Sequence, residues 1–273
     1  MISERLENVR KKAPLIHNIT NYVTVNDVAN MLLACGASPI MADDPDEVEE
    51  ITGICDGLNI NIGTLNKRTI ESMKKAGKKS AELGHVTTLD PVGAGASTLR
   101  TETAKEILDE TELTAVRGNI SEIKTLALGS STTQGVDANE MDAVTEENLE
   151  KAVEFLKGVS SKWGVIVAVT GAIDLVSDGE KCYVIRNGEP EMASVTGTGC
   201  QLSGLIPAFI SANPDNPLEA VAAAVITMGV AGETAKKGMS EGDGNFAYRG
   251  KIIDAVFNMT PEKLEREADY EIR

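Results

Sequence analysis

Seven short apolar runs in the sequence each end in residues small, polar or charged enough to take part in chemistry. LIHNI (Leu15–Ile19) is followed by Thr20 and Asn21, SPI by Met41, LNINI (58–62) by Gly63 and Thr64, and VTTL (86–89) by Asp90-Pro91-Val92-Gly93-Ala94-Gly95. LTAV (113–116) leads to Arg117-Gly118-Asn119 and VIVAV (165–169) to Thr170-Gly171. A last run near 192–195 leads to Thr196-Gly197-Thr198-Gly199-Cys200. The last of these segments is the most informative, because a helix is expected to start at Cys200 and run through Leu202, Leu205 and Ile206. Backbone N–H groups at a helix start, with only glycine and threonine beside them, form an anion pocket at Gly197, Thr198, Gly199 and Cys200. Such a pocket stabilises negative charge that develops on a transferring phosphoryl group. Gly93-Ala94-Gly95 is less specific: it lacks the third glycine of a dinucleotide fingerprint and reads equally as a tight turn.

These segments need a scaffold that brings strand ends together. Between the apolar runs lie stretches of helical periodicity with recognisable ends. Thr24 is placed to cap a helix that stops at Gly36, and Asp44-Pro45 with Glu47 to open another. Lys67–Leu83 is closed by Gly84, and a further helix is expected over 145–156. Alternating strands and helices with nearly all-apolar strands predict a parallel sheet covered on both faces, with ligands beyond the carboxyl ends of the strands. The rhythm changes after Thr170, where Asp174–Ser177 and 181–186 flank Asp178-Gly179 and predict a hairpin. A strand near 192–195 follows, and Asn216 then caps a long helix, Pro217–Lys237, that is apolar nearly all round and so central. Residues 129–142 read as a polar surface loop rather than a boundary, which leaves one domain over 1–273.

Composition narrows the function classes. The chain has 273 residues and a net charge of −16, which opposes non-specific binding to nucleic acid. It does not oppose a phosphate-bearing small ligand, since a metal ion and a few local donors overcome a distant field. Aromatic residues make up 3%, too few for base-stacking platforms. Cys35, Cys55, Cys182 and Cys200 form no C-x-x-C pair, so reduced thiols and a cytoplasmic location are expected. With His17 and His85 the only histidines, a zinc site is disfavoured. No stretch reads as a signal peptide or membrane span, so no membrane role is expected.

The segments HNITN (17–21), GASPIMA (36–42), NIGTL (61–65), DPVGAGA (90–96), RGN (117–119) and VTGTGC (195–200) resemble, in order, those of the hydroxyethylthiazole kinase family. That family is part of the ribokinase-like superfamily, and the resemblance runs from about residue 14 to 257. It implies a three-layer α/β fold with a mostly parallel sheet and no separate lid domain. It also implies ATP- and Mg²⁺-dependent phosphorylation of 4-methyl-5-(2-hydroxyethyl)thiazole in thiamine salvage, by a homotrimer with substrate sites near subunit interfaces.

Carried over residue by residue, the resemblance makes Asn21, Val23 and Met41 thiazole-binding, with Gly197 a backbone contact to substrate. An apolar heterocycle suits such a wall, although Met41 has a second reading as core packing. Arg117 and Thr170 match ATP-binding positions, and an arginine at a strand's carboxyl end is a natural phosphate partner. Asp90 and Glu122 match acidic positions associated with magnesium, which takes only one or two carboxylates. Glu122 has a second reading as a first-turn helix carboxylate behind a Ser121 cap. Cys200 stands where most ribokinase relatives carry the aspartate that accepts the proton of the attacking hydroxyl. A thiol at a helix N-terminus can have a lowered pKa and act as base, yet a loose phosphoryl transfer asks for little early deprotonation, so positioning of the hydroxyl is the other role. His17 reads as a hydrogen-bonded neighbour of the substrate loop, and 242–244 as a glycine loop near the nucleotide.

The rivals are hydroxymethylpyrimidine kinase and NAD(P)H-hydrate dehydratase on the same fold, which normally carry aspartate at the Cys200 position. A cysteine hydrolase with His17 as base, and a non-catalytic binding protein, belong to other classes. Replacing Cys200 separates the roles of the thiol. Cys200→Ala is expected to slow turnover without abolishing it, and Cys200→Asp to retain or raise it. Loss of turnover in a folded Asp variant would contradict the base position.

Overall fold

Side chains alternate across a strand, and here both sides are largely apolar, so the sheet has to be covered twice. The computed structural model describes residues 1–129 and 143–273. In chain order these form α1 (Ile2–Lys12), β1 (Leu15–Ile19), α2 (Val25–Cys35), β2 (Ser38–Met41), α3 (Val48–Ile54), β3 (Gly57–Asn61), α4 (Lys67–Leu83) and β4 (Val86–Asp90). Next come α5 (Thr98–Glu110), β5 (Ala115–Gly118), α6 (Ile120–Leu128), α7 (Leu149–Trp163), β6 (Ile166–Val169), β7 (Asp174–Ser177) and β8 (Cys182–Ile185). The chain ends with α8 (Thr198–Ala212), α9 (Pro217–Lys237), α10 (Asn245–Phe257), α11 (Pro261–Glu267) and β9 (Tyr270–Ile272).

One nine-stranded sheet has the order β2-β1-β3-β4-β5-β6-β7-β8-β9. The first six strands are parallel and the last three antiparallel. One side of the sheet, with Ile16, Ala115, Ile166 and Ala168, shares a core with α1, α2, α8, α9 and α10. The other, with Leu58, Ile60, Leu89 and Val167, shares a core with α4 through α7. This is the three-layer, mostly parallel architecture expected from the sequence. Strand β1 leads to β2 on one side, while β3 pairs with the opposite edge of β1. The direction of winding therefore reverses between β1 and β3, the place where open α/β sheets leave a ligand crevice.

Local chemistry explains the element ends. Asn66 and Thr69 close a capping box at the start of α4, and Gly84 ends it in the left-handed conformation. Asn216 accepts from Glu219 N, with Pro217 at the first position of α9. Among the described residues α9 alone is long and apolar enough to cross a membrane, and most of it lies buried in the core.

Several boundaries differ from the sequence expectation. The strand expected near 192–195 is a 3₁₀ turn, Pro190–Ser194. Pro190 has no N–H for a ladder, and the edge of β8 is taken by β9. The helix expected at Asp44 begins at Val48, because Asp44 Oδ1 accepts Asp46 N and holds a turn. The helix expected over 145–156 runs Leu149–Trp163, and α8 starts two residues before Cys200. The loop expected at 129–142 lies, apart from Gly129, outside the described residues.

Candidate active site

The carboxyl ends of β1, β3, β4 and β5 meet under the N-terminus of α8, and Asp90 lies at the centre. Its side chain is fully buried. Ser203 Oγ and Asn61 Nδ2 each donate to Asp90 Oδ2 at 2.7 Å, and Arg117 Nη1 stands 3.5 Å from the same oxygen. The other oxygen, Oδ1, is buried with no partner among the described residues. Burial pushes the Asp90 pKa up to about 6, and nearby Glu122 adds to the rise; Arg117, Ser203 and Asn61 oppose it. A carboxylate with one oxygen fixed and the other open is a ready ligand for a small cation.

Arg117 links this carboxylate to the glycine loop. Its Nη2 donates to Thr170 Oγ1 at 2.5 Å. A Cβ on Gly199 would fall 2.5 Å from Arg117 Nη1, so the guanidinium lies against bare backbone that only glycine supplies. Gly197, with φ +92°, caps α8, and a Cβ there would meet Thr24 Cγ2 at 2.3 Å. The first helical bond runs from Gln201 N to Gly197 O at 2.8 Å, so the N–H groups of Thr198, Gly199 and Cys200 precede it. A cavity of about 600 Å³ opens beside this turn, lined by Arg117, Thr170, Asp174 and Gly199 and by the apolar Leu202 and Met228. Asn21, Val23, Met41, Asp90 and Cys200 do not line it, so the predicted residues divide into two adjacent groups.

The second group is organised by Asn21, which is buried at the end of β1. Its Oδ1 accepts from Val23 N, Thr24 N and Thr24 Oγ1 at 3.0–3.1 Å. Its Nδ2 donates to Asn61 Oδ1 at 3.0 Å and to Cys200 Sγ at 3.2 Å. Val23 is exposed, as is Tyr22 beside it, while Met41 is half-buried against the core. The half-buried Cys200 thiol does not have the lowered pKa that a helix N-terminus suggests. Burial and the Asp90 charge push it up, outweighing the opposing influence of the nearby Thr24, Asn61 and Asn21 side chains. The shift is away from the thiolate form.

Glu122 is nearly buried and both of its oxygens hold backbone. Oε1 accepts Gly93 N and Oε2 accepts Asn119 N, each at 2.8 Å. The cap of α6 is Asn119, not Ser121, in a reciprocal capping box with Glu122. Gly93 and its neighbours are thereby fixed against the end of β5. His17 is fully buried, with Nε2 on the Ala42 carbonyl and Nδ1 on the Thr52 hydroxyl, both at 2.9 Å. Since a carbonyl only accepts, Nε2 carries the proton, and burial lowers the pKa against the opposing bond to Ala42. With both nitrogens engaged, His17 is no base for Cys200. The loop 242–244 is held by Asp243, which accepts from Ser240 N and pairs with Lys251.

Residue types and spacing did not single out Asn61, Ser203 or Asp174. For Asn61 a signal existed: β3 reads Gly-Leu-Asn-Ile-Asn, and polar residues at period two in a central strand have to answer a buried polar partner. Ser203 and Asp174 carry no comparable mark.

A three-layer sheet whose strand ends converge on an acidic residue, an arginine and a glycine turn at a helix start defines a ribokinase-like kinase. A ribokinase-like superfamily protein from Enterococcus faecalis has the same fold, with a TM-score of 0.63 over 96% of this chain and 89% of that one, at 14% identity. The sequence profile of the hydroxyethylthiazole kinase family matches residues 6–262, and the chain belongs to that family. The hydroxyethylthiazole kinase of Clostridium acetobutylicum is 60% identical over 99% of both chains. A hydroxyethylthiazole kinase structure from Pyrococcus horikoshii is 37% identical, with a TM-score of 0.88 over 100% of this chain and 98% of that one.

Asp174 gives the cavity a pH signature. Burial pushes its pKa up to about 7, against the Gly171 N–H, which it accepts at 2.8 Å, and the charge of Arg117. Between pH about 4 and about 7 the native chain keeps a proton that the unfolded chain has lost, so this group costs stability as pH rises. Asp174→Asn preserves the acceptor for Gly171 and removes the ionisation. Its urea midpoint relative to the parent is expected to rise from pH 4 to pH 8; a gap independent of pH would contradict the assignment.

Proposed function

We propose that this chain transfers the γ-phosphoryl group of ATP to the hydroxyl of 4-methyl-5-(2-hydroxyethyl)thiazole with the help of Mg²⁺, a salvage step toward thiamine. The observation that carries the reading is the buried Asp90, one oxygen tied down by Ser203, Asn61 and Arg117 and the other without a partner among the described residues. Mg²⁺ favours oxygen ligands and usually keeps several waters, so Asp90 Oδ1 with support from Glu122 suits it. Bound there, the ion would offset charge on phosphate oxygens.

The remaining work falls to the chain's own groups. The cavity beside Arg117 and Thr170 takes the nucleotide, its apolar wall of Leu202 and Met228 serving the base. Arg117 offers planar donors to the phosphates, and Thr170 fixes their direction. The N–H groups of Thr198, Gly199 and Cys200 face the charge that grows on the group in transit. On the other side of the turn Asn21, Val23, Met41 and the Gly197 backbone take the thiazole. The protonated Cys200 thiol directs its hydroxyl, in keeping with a loose transition state that needs no strong base.

A homotrimer is part of the proposal. Exposed Tyr22 and Val23 follow Asn21 and supply an apolar surface for a neighbouring subunit to cover. Four free thiols fit a cytoplasmic setting. The test is ADP release from ATP and Mg²⁺, with hydroxyethylthiazole and hydroxymethylpyrimidine offered in parallel and products identified by mass. Thiazole-dependent ADP with a phosphorylated thiazole is expected. Turnover with the pyrimidine alone would overturn the substrate, and silence with both in folded, ATP-binding protein would overturn the reaction.

A further inference from the structure

Asn61 is buried to 1% exposure at the end of β3, and its amide is shared between the two groups of site residues. Its Nδ2 donates to Asp90 Oδ2 at 2.7 Å. Its Oδ1 accepts from Asn21 Nδ2 at 3.0 Å and from Gly63 N at 3.0 Å. The Asn21 amide continues to Cys200 Sγ at 3.2 Å. One line of hydrogen bonds thus runs Asp90, Asn61, Asn21, Cys200, crossing the gap between β3 and β1 where the sheet reverses its winding. A primary amide suits this place, because Asp90 requires a donor and Asn21 requires an acceptor. Gly63 tightens the junction, since a Cβ there would come within 2.9–3.0 Å of Asn21 and of Asn61 Oδ1.

We infer that Asn61 is a positioning residue that sets the cation-facing carboxylate and the acceptor-facing thiol in one frame. By occupying Asp90 Oδ2 together with Ser203, it turns Oδ1 to the open position. By holding Asn21, it fixes the amide that contacts Cys200 and, through Val23 N and Thr24 N, the turn around the acceptor. Ser203 serves only the first half: its hydroxyl donates to Asp90 Oδ2 and lies 3.0 Å from Gly199 O, with no side-chain hydrogen bond to Asn21 or Cys200. The inference rests on the kinase reading above, and that reading is tested first by thiazole-dependent ADP release from the parent chain.

Given parent activity, Asn61→Leu and Ser203→Ala separate the two halves. Two measurements on the full chain serve: the thiazole KM and kcat, and Mn²⁺ binding with a non-hydrolysable ATP analogue, followed by electron paramagnetic resonance. Asn61→Leu is expected to weaken Mn²⁺ binding about tenfold, as for a lost hydrogen bond to a charged group. It should also raise the thiazole KM about fivefold, as for a lost neutral bond, and lower kcat on the order of 10²-fold through misplacement. Ser203→Ala should weaken Mn²⁺ binding by a similar factor and leave the thiazole KM within twofold. A purely structural Asn61 would lower the folded fraction while the folded protein kept the parent Mn²⁺ affinity and KM, and that result overturns the inference. If Asn61→Leu does not fold, Ser203→Ala decides: unchanged Mn²⁺ binding, or a thiazole KM raised as much as Mn²⁺ binding falls, also overturns it.

Discussion

A single ionised carboxylate placed in the core governs this structure. Asp90 has no exposure, and removing a charge from water costs several kcal/mol even after relaxation. Two donors at 2.7 Å and a guanidinium at 3.5 Å offset that cost on one oxygen only. The other oxygen keeps part of the penalty, which appears as the rise in pKa to about 6. A buried anion left half satisfied is the feature on which the proposed cation site rests, and the surrounding elements are arranged to maintain that condition.

The partners of Asp90 come from three directions, and each constrains a different element. Ser203 ties it to α8, so the helix start sits directly over the strand end. Arg117, from β5, has to pass beneath that start, which is why Gly199 is bare, while Gly197 takes a left-handed conformation against Thr24. Asn61, from β3, carries the constraint across the sheet reversal to Asn21 and the turn that follows β1. Glu122 holds the backbone that follows Asp90 against α6. Ordering this many polar groups is tolerable because the two apolar layers on either side are continuous and make the strand ends rigid.

The residue runs revealed most of this architecture. Strands with apolar residues on both sides dictate a parallel sheet between two layers, and five of the first six apolar runs overlap strands closely. Asp90, Arg117, Thr170 and the glycine turn were legible because each follows an apolar run, where an open sheet places its ligands. Three features were not. The segment ending at Val195 looked like a strand, yet Pro190 and the arrival of distant Tyr270–Ile272 at the sheet edge exclude it. The cap of α6 depends on backbone direction, which selects Asn119 over the adjacent Ser121. The upward shift of the Cys200 thiol is not read from its place at a helix terminus, because desolvation and the Asp90 charge depend on residues remote in the chain. Asn61 was within reach, since polar residues at period two in a buried strand signal a polar site beneath a helix rather than a wet face.

The account stands on the open oxygen of Asp90, and one comparison reaches it directly. Mn²⁺ bound in the presence of a non-hydrolysable ATP analogue is counted by electron paramagnetic resonance for the parent and for Asp90→Asn, alongside binding of the analogue itself. The account predicts one tightly held ion in the parent and at least about tenfold weaker Mn²⁺ binding in the variant, which still takes up the analogue through Arg117 and the cavity. Equal Mn²⁺ affinity in both proteins would contradict it and place the cation elsewhere.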